Sequence, residues 1–320
     1  SIDVSAKGYR GGLRDGNAES YGLTLDGYPG AQPYSGGSYG GYGGNYTAAA
    51  TSPAYGHPAA PVYLGSGGSG GGSGREGGNG GGRITLDVER VLRVDGAIRA
   101  DGQTGNGFKA GSGSGGSIAI QAGILRGTGA IAANGGGYEV GGGGGRVAIV
   151  YDYVYEGAEG LAELRNITAL GGHGNSVWGS AGTVLLRRTD QPQGDLYIDD
   201  NLADSTSNAW TPLTHIGFGA IAALTDDTLT TNGRVAMVPN GLSGLRINPN
   251  IEQDTDFLIV ANTEDTITVD ISGKAPLTSV AASGDTYAGV YTFDNLYFRR
   301  GGVMVLGDRL VVNDTVRVDE

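Results

Sequence analysis

Three times between residues 65 and 152 a glycine run leads straight into a short segment of alternating apolar residues. Glycines 80–82 precede Arg83-Ile84-Thr85-Leu86-Asp87-Val88, Gly115-Gly116 precedes Ser117-Ile118-Ala119-Ile120-Gln121-Ala122, and glycines 141–145 precede Arg146-Val147-Ala148-Ile149-Val150. A fourth copy is Gly182-Thr183-Val184-Leu185-Leu186. A second phrase recurs between these: Val94-Asp95-Gly96-Ala97-Ile98-Arg99-Ala100-Asp101-Gly102, then Gly127-Thr128-Gly129-Ala130-Ile131-Ala132-Ala133-Asn134-Gly135. Weaker copies stand at Ile167-Thr168-Ala169-Leu170-Gly171 and Ile2-Asp3-Val4-Ser5-Ala6-Lys7-Gly8. The spacing from Ile84 to Ile118 is 34 residues, from Ile118 to Val147 it is 29, and from Val147 to Val184 it is 37. Short strands at such a period read as a solenoid, each turn of which buries too little to fold alone. Because the four strands share one phase, they are predicted to lie parallel and in register, about 4.8 Å apart.

The fold class that follows is all-β: a parallel β-helix or solenoid with ordered, polyproline-II-like glycine runs and a small inserted antiparallel module. Glycine makes up 64 of the 320 residues, and it supplies no side chain to a core. Residues 1–150 hold 45 of these, 151–194 hold 8 and 195–320 hold 11, which places a boundary near Gly194. There is no Gly-X-Y period, so collagen is excluded, and the interleaved Ile, Val and Leu argue against plain disorder.

Four regions result. Residues 1–194 form the glycine-rich solenoid, with a tyrosine-rich excursion at 8–82; a connecting strand and turn occupy 195–212; an inserted β module spans 213–288; and solenoid turns resume at 289–320. The module's expected core is Leu224, Leu245, Ile247, Phe257, Ile259, Ile267 and Val269, which alternate with polar residues. A short helical piece is expected at 157–164. The excursion is rich in Tyr and nearly free of aliphatic residues between Tyr28 and Val62. Its rings either cover bare glycine backbone in place of a core, or form a contact surface for sugars or another chain through Tyr34, Tyr39, Tyr42 and Tyr46. Ile2 and Val4 at one end and Val316 and Val318 at the other read as half turns whose strand edges lie open to self-assembly, so that chain is expected to continue beyond both ends.

The residues 115–137, of the form G-G-S-I-x-I-x-A-G-x-L-x-G-x-G-x-I-x-A-N-G-G, and the G-G-G-G-G-R-V-A-I of 141–149 resemble the glycine-rich repeats of large bacterial surface and secreted proteins. The resemblance covers residues 65–186, and residues 293–318 are similar to turns of right-handed β-helix adhesins. It implies a structural or adhesive role, an extracellular or cell-surface location and no catalytic residue. The tyrosine-rich excursion and the inserted module depart from that pattern.

The composition narrows the chemistry. A net charge of −12 disfavours nucleic acid as a partner, and no apolar run is long enough for a membrane span. With no cysteine there is no disulfide, thiolate metal site or catalytic thiol. His57, His173 and His215 have no ligand spacing. The Asp199, Asp200 and Asp204 cluster is the candidate for Ca²⁺, with turn solvation as the plainer reading, and no other cofactor is expected. Asp87, Asp95 and Asp101 are the carboxylates a glycoside-cleaving β-helix would use, but Asp95 and Asp101 sit at corners beside Gly96 and Gly102. The chain therefore reads as a non-enzymatic segment of an extracellular fibre, filament or adhesin that joins itself or its flanking repeats, with surface polysaccharide as a further partner. The alternatives are a carbohydrate-binding or polysaccharide-degrading β-helix and a phage-type fibre segment.

Overall fold

The computed structural model describes residues 1–47, 52–154, 166–201, 210–233 and 237–319. The helical piece expected at 157–164 lies outside them. The recurring segments form two parallel ladders. In the first, β2 (Arg83–Arg93), β4 (Ser117–Arg126), β6 (Arg146–Val154) and β8 (Thr183–Arg188) pair in sequence, with Ile84 opposite Ile118, Ile118 opposite Val147 and Val147 opposite Val184. In the second, β1 (Ile2–Asp3), β3 (Ala97–Arg99), β5 (Ala130–Ala132) and β7 (Ile167–Thr168) do the same, with Ile2, Ile98, Ile131 and Ile167 in one row. Alternation at period 2 turns one set of side chains of each ladder towards the other. A core results from Ile84, Ile118, Val147 and Val184 on one side and Ile98, Ile131 and Ile167 on the other.

The glycine runs lie outside this core and are ordered by one another. The segment 111–116 is typical of them. Gly111 and Ser114 N–H donate to Ser69 and Ser66 O, Ser112 and Gly115 N–H to Val140 and Gly143 O, and Gly113 and Gly116 N–H to Gln103 and Ala100 O, all at 2.8–2.9 Å. Donors three residues apart thus serve the same neighbour, which is the three-residue period of polyproline II rather than the two-residue period of a strand. Its carbonyls accept from Gly78 and Gly81, from Gly37 and from Gly136. One segment is bonded to six others, whereas a strand can pair with only two. The spacing leaves no room for side chains: a Cβ at Gly111, Gly113, Gly115 or Gly116 would fall on the carbonyl oxygen of Ser35, Asn79, Ala133 or Gly82.

At the boundary near Gly194 the direction of pairing changes. β9 (Asp195–Asp199) adds to β8 antiparallel, Leu196 opposite Leu185. It opens a second parallel run with β16 (Thr286–Arg299) and β18 (Arg309–Val318), in which Leu196, Leu296 and Val316 form one row and Ile198, Phe298 and Val318 another. Beside it β10 (Trp210–Pro212) pairs parallel with β17 (Val303–Val305). The segment between carries antiparallel β11 (Phe218–Leu224), β12 (Thr228–Thr231), β13 (Arg246–Asn248), β14 (Phe257–Asn262) and β15 (Thr266–Asp270). Leu245, Ile247, Phe257, Ile259, Ile267 and Val269 are buried as their alternation requires, and Leu224 packs at the margin. These residues share one core with Leu185, Leu196 and Ile198, and β11 and β13 both pair with β16, so this segment is built onto the parallel strands.

A side chain at Gly143 would meet the Gly41 carbonyl oxygen, whereas one at Gly72 would meet only the Phe108 ring, at 3.5 Å. Gly143→Val is therefore expected to cost more than about 3 kcal/mol or to prevent folding. Gly72→Ala should stay close to the parent in chemical denaturation, and equal stability of parent and Gly143→Val would show that the glycine layer contributes nothing.

Candidate interaction surfaces

The excursion's tyrosines divide between interior and surface. Tyr39 is fully buried, with its ring 4.8 Å from Tyr55 and its hydroxyl 2.7 Å from Ser117 Oγ. It is thus excluded from the expected contact surface, because it packs into a buried cluster with Leu25 and Tyr55, against which Tyr63 and Val238 lie. Tyr42 is half-buried and lines a small cavity with Pro53, Ala54, Leu213 and Met237. Only Tyr34 and Tyr46 stay together at the surface, where the Tyr46 N–H donates to Tyr34 O. They meet Lys109, whose Nζ lies 4.0 Å from the Tyr46 ring centre, 5.5 Å from Tyr34 and 5.1 Å from Phe108.

Phe108 and Lys109 form the tip of a hairpin between two glycine segments, and neighbouring hairpins end beside them. Gly72 N–H donates to Phe108 O and Asn175 N–H to Tyr138 O, while Gly111, Val140 and Val177 are linked by parallel bridges. The adjoining tips carry exposed Tyr138 and a stacked His173–Trp178 pair, 4.0 Å apart and 16° from coplanar. Phe108 is 61 % exposed. The sequence reading missed Phe108 and Lys109, since each is a lone residue in a glycine-rich stretch; aromatic residues at the points where glycine runs reverse were the available signal.

The second surface is the open side of β18. Its partner β16 buries Leu296 to 1 %, yet the next residues in those rows, Val316 and Val318, are 56 % and 74 % exposed. Among the described residues, β18 pairs only with β16, as a branch of the large sheet, and β2, beyond β9, β8, β6 and β4 in that sheet, pairs only with β4. At the first turn Ile2 is exposed on β1, which pairs only with β3. Val4 is not an open edge: its N–H donates to Arg99 O, its carbonyl accepts from Gly82 and its side chain packs on the core between the ladders.

Among the described residues, the carboxylates do not converge on a cation site. Asp199 is held by Arg300 through two bonds of 2.8 and 2.7 Å. Asp200 is buried with one oxygen unpartnered, and Asp204 lies outside the described residues. No group of three or more His, Cys, Asp or Glu converges among the described residues. His57 stacks on Tyr291 at 5.4 Å, and desolvation, with Arg146 and Arg246 as like charges, lowers its pKa to about 3. Among the described residues no helix is long and apolar enough to cross a membrane. The chain matches no protein-family model, and neither the curated proteins nor the solved structures contain one similar to it.

Burial raises the Asp200 carboxyl from 3.8 to about 7, outweighing the Ala181 amide that favours its charged form. A folded-state pKa above the unfolded one means that the native state binds the proton more tightly, so stability falls as pH rises from about 4 through about 7. Asp200→Asn, which keeps a neutral side chain at all pH values, should melt above the parent at pH 8 and converge with it towards pH 4. A constant difference across that range would show that Asp200 does not titrate there.

Proposed function

We propose that this chain is a non-enzymatic structural segment of an extracellular fibre, filament or adhesin, wound as a β-solenoid and joined end to end through its terminal strands. Alternation of the two parallel ladders along the chain, one strand from each per repeat, supports the winding. The observation that carries the joining is the row from Leu196 and Leu296, both buried, to exposed Val316, beside the unpaired outer edge of β18. A further strand laid on that edge would take up its N–H and C=O groups and cover Val316 and Val318, each stabilising by up to ~1.5–3 kcal/mol. Strand β2 of a further copy, or flanking repeats of the same polypeptide, would supply it. Head-to-tail contacts whose rotation does not close generate filaments. The acidic, cysteine-free composition suits a chain that stays soluble outside the cell.

Sedimentation velocity over a hundredfold concentration range, with negative-stain imaging, tests this reading. Rods that lengthen with concentration are expected, and Val316→Glu with Val318→Glu should leave monomers of unchanged melting temperature. A parent chain that remains a monodisperse monomer throughout would overturn it.

A further inference from the structure

From the cluster at the hairpin tips we infer a saccharide-binding site, in which the apolar face of a pyranose stacks on Phe108 and Tyr46 and its hydroxyls bond the Lys109 ammonium. Lys109 and Tyr34 have φ of 57° and 67°, in the left-handed region that costs a side-chain-bearing residue about 1 kcal/mol or more. Glycine relieves that cost; among the described residues thirteen positive-φ positions are glycine and nine carry a side chain, Lys109 and Tyr34 among them. Two side chains held in that conformation both belong to one cluster, where the Lys109 Nζ is within 5.5 Å of three ring centres. The ring-bearing segments are hydrogen-bonded to their neighbours, Phe108 O accepting from Gly72 N–H and Tyr46 N–H donating to Tyr34 O, so stacking a ligand on the rings orders few side chains.

The chemistry of the cluster selects the partner. Ammonium groups are depleted from the centres of protein–protein interfaces, yet here one sits in the middle of the rings. A ligand with an apolar face and many hydroxyls satisfies both parts, because the rings take its C–H face and the three ammonium protons find acceptors. Nucleic acid, which also stacks on aromatic faces, would meet a chain of net charge −12. The exposed, tip-borne arrangement suits the end of a glycan rather than a small molecule that needs an enclosed cavity. The site shares no residue with the β18 edge and operates whether or not chains join end to end.

The test is binding of the full chain to an array of immobilised neutral and acidic oligosaccharides, followed by titration of the strongest oligosaccharide in solution. At least one is expected to bind, with affinity falling at least about tenfold in Phe108→Ala and in Lys109→Gly. Lys109→Gly should melt at or above the parent temperature, since glycine removes the left-handed strain. Absence of binding to every oligosaccharide overturns the assignment, as does affinity unchanged in both variants. A lowered melting temperature of Lys109→Gly with full binding would make the cluster a tie between loops. A parent oligomer that dissociates on Phe108→Ala would make it a contact between copies of the chain.

Discussion

The structure depends on main-chain hydrogen bonds between glycine segments that run so close together that no Cβ fits at most of their glycine positions. In a strand, donors alternate between two neighbours; in segment 111–116 they rotate through three, and the carbonyls bring the number of bonded neighbours to six. This arrangement satisfies buried amides in all directions around each segment without a side-chain core. It also explains how a chain in which one residue in five is glycine can be ordered, for the entropy glycine loses on folding is offset by bonds that only glycine permits. Serine is the other residue that fits: Ser114 Oγ accepts from Ser66 N–H, and Ser69 Oγ from Ser35 N–H.

Where the glycine layer meets the first ladder, a few large side chains fill the seam. Tyr39, Tyr55 and Arg146 are all fully buried there, and the Arg146 guanidinium lies 5.5 Å from the Tyr39 ring centre. Among the described residues no carboxylate pairs with it. Its Nε donates to Tyr55 O and one terminal nitrogen to Thr183 Oγ1, while the other terminal nitrogen has no partner. Burial lowers the Arg146 pKa, and charge interaction with Tyr39, Tyr291 and Tyr55 opposes that shift. The position is the first residue of β6, equivalent to Arg83 in β2, Ser117 in β4 and Thr183 in β8; Arg83 lies exposed and donates to Val62 O, whereas Arg146 is buried, so two arginines of one row tie the excursion to the sheet.

The same geometry decides where large side chains can stand. Residues inside the glycine layer tolerate almost nothing larger than hydrogen, so large side chains are confined to the seam, to the reversals of the runs and to the sheets. The reversals gather Phe108, Lys109, Tyr138 and Trp178 from separate repeats on neighbouring tips. The sheets, in turn, end in strands whose outer edges carry unpaired main-chain groups.

Periodicity in the sequence determined the two parallel ladders and their register, because a shared phase at Ile84, Ile118, Val147 and Val184 is satisfied by only one way of burying all four. It likewise determined which residues of the inserted segment face inwards, since alternation is a local property. It did not determine the reversal between β8 and β9: the segment Asp195-Leu196-Tyr197-Ile198-Asp199 alternates identically whichever way it runs. Nor did it separate Tyr39 from Tyr46, both set among glycines, since burial there depends on which distant segment closes over the ring. Val4 and Val316 were equivalent as residues of half turns, yet one uses its main-chain groups inside the fold and the other lies on an open edge. The cluster of Tyr34, Tyr46, Phe108 and Lys109 exists only because hydrogen bonds between glycine segments bring residues more than sixty positions apart to adjacent tips. Local pattern fixes what each segment is, whereas the choice of neighbour is a property of the packed whole.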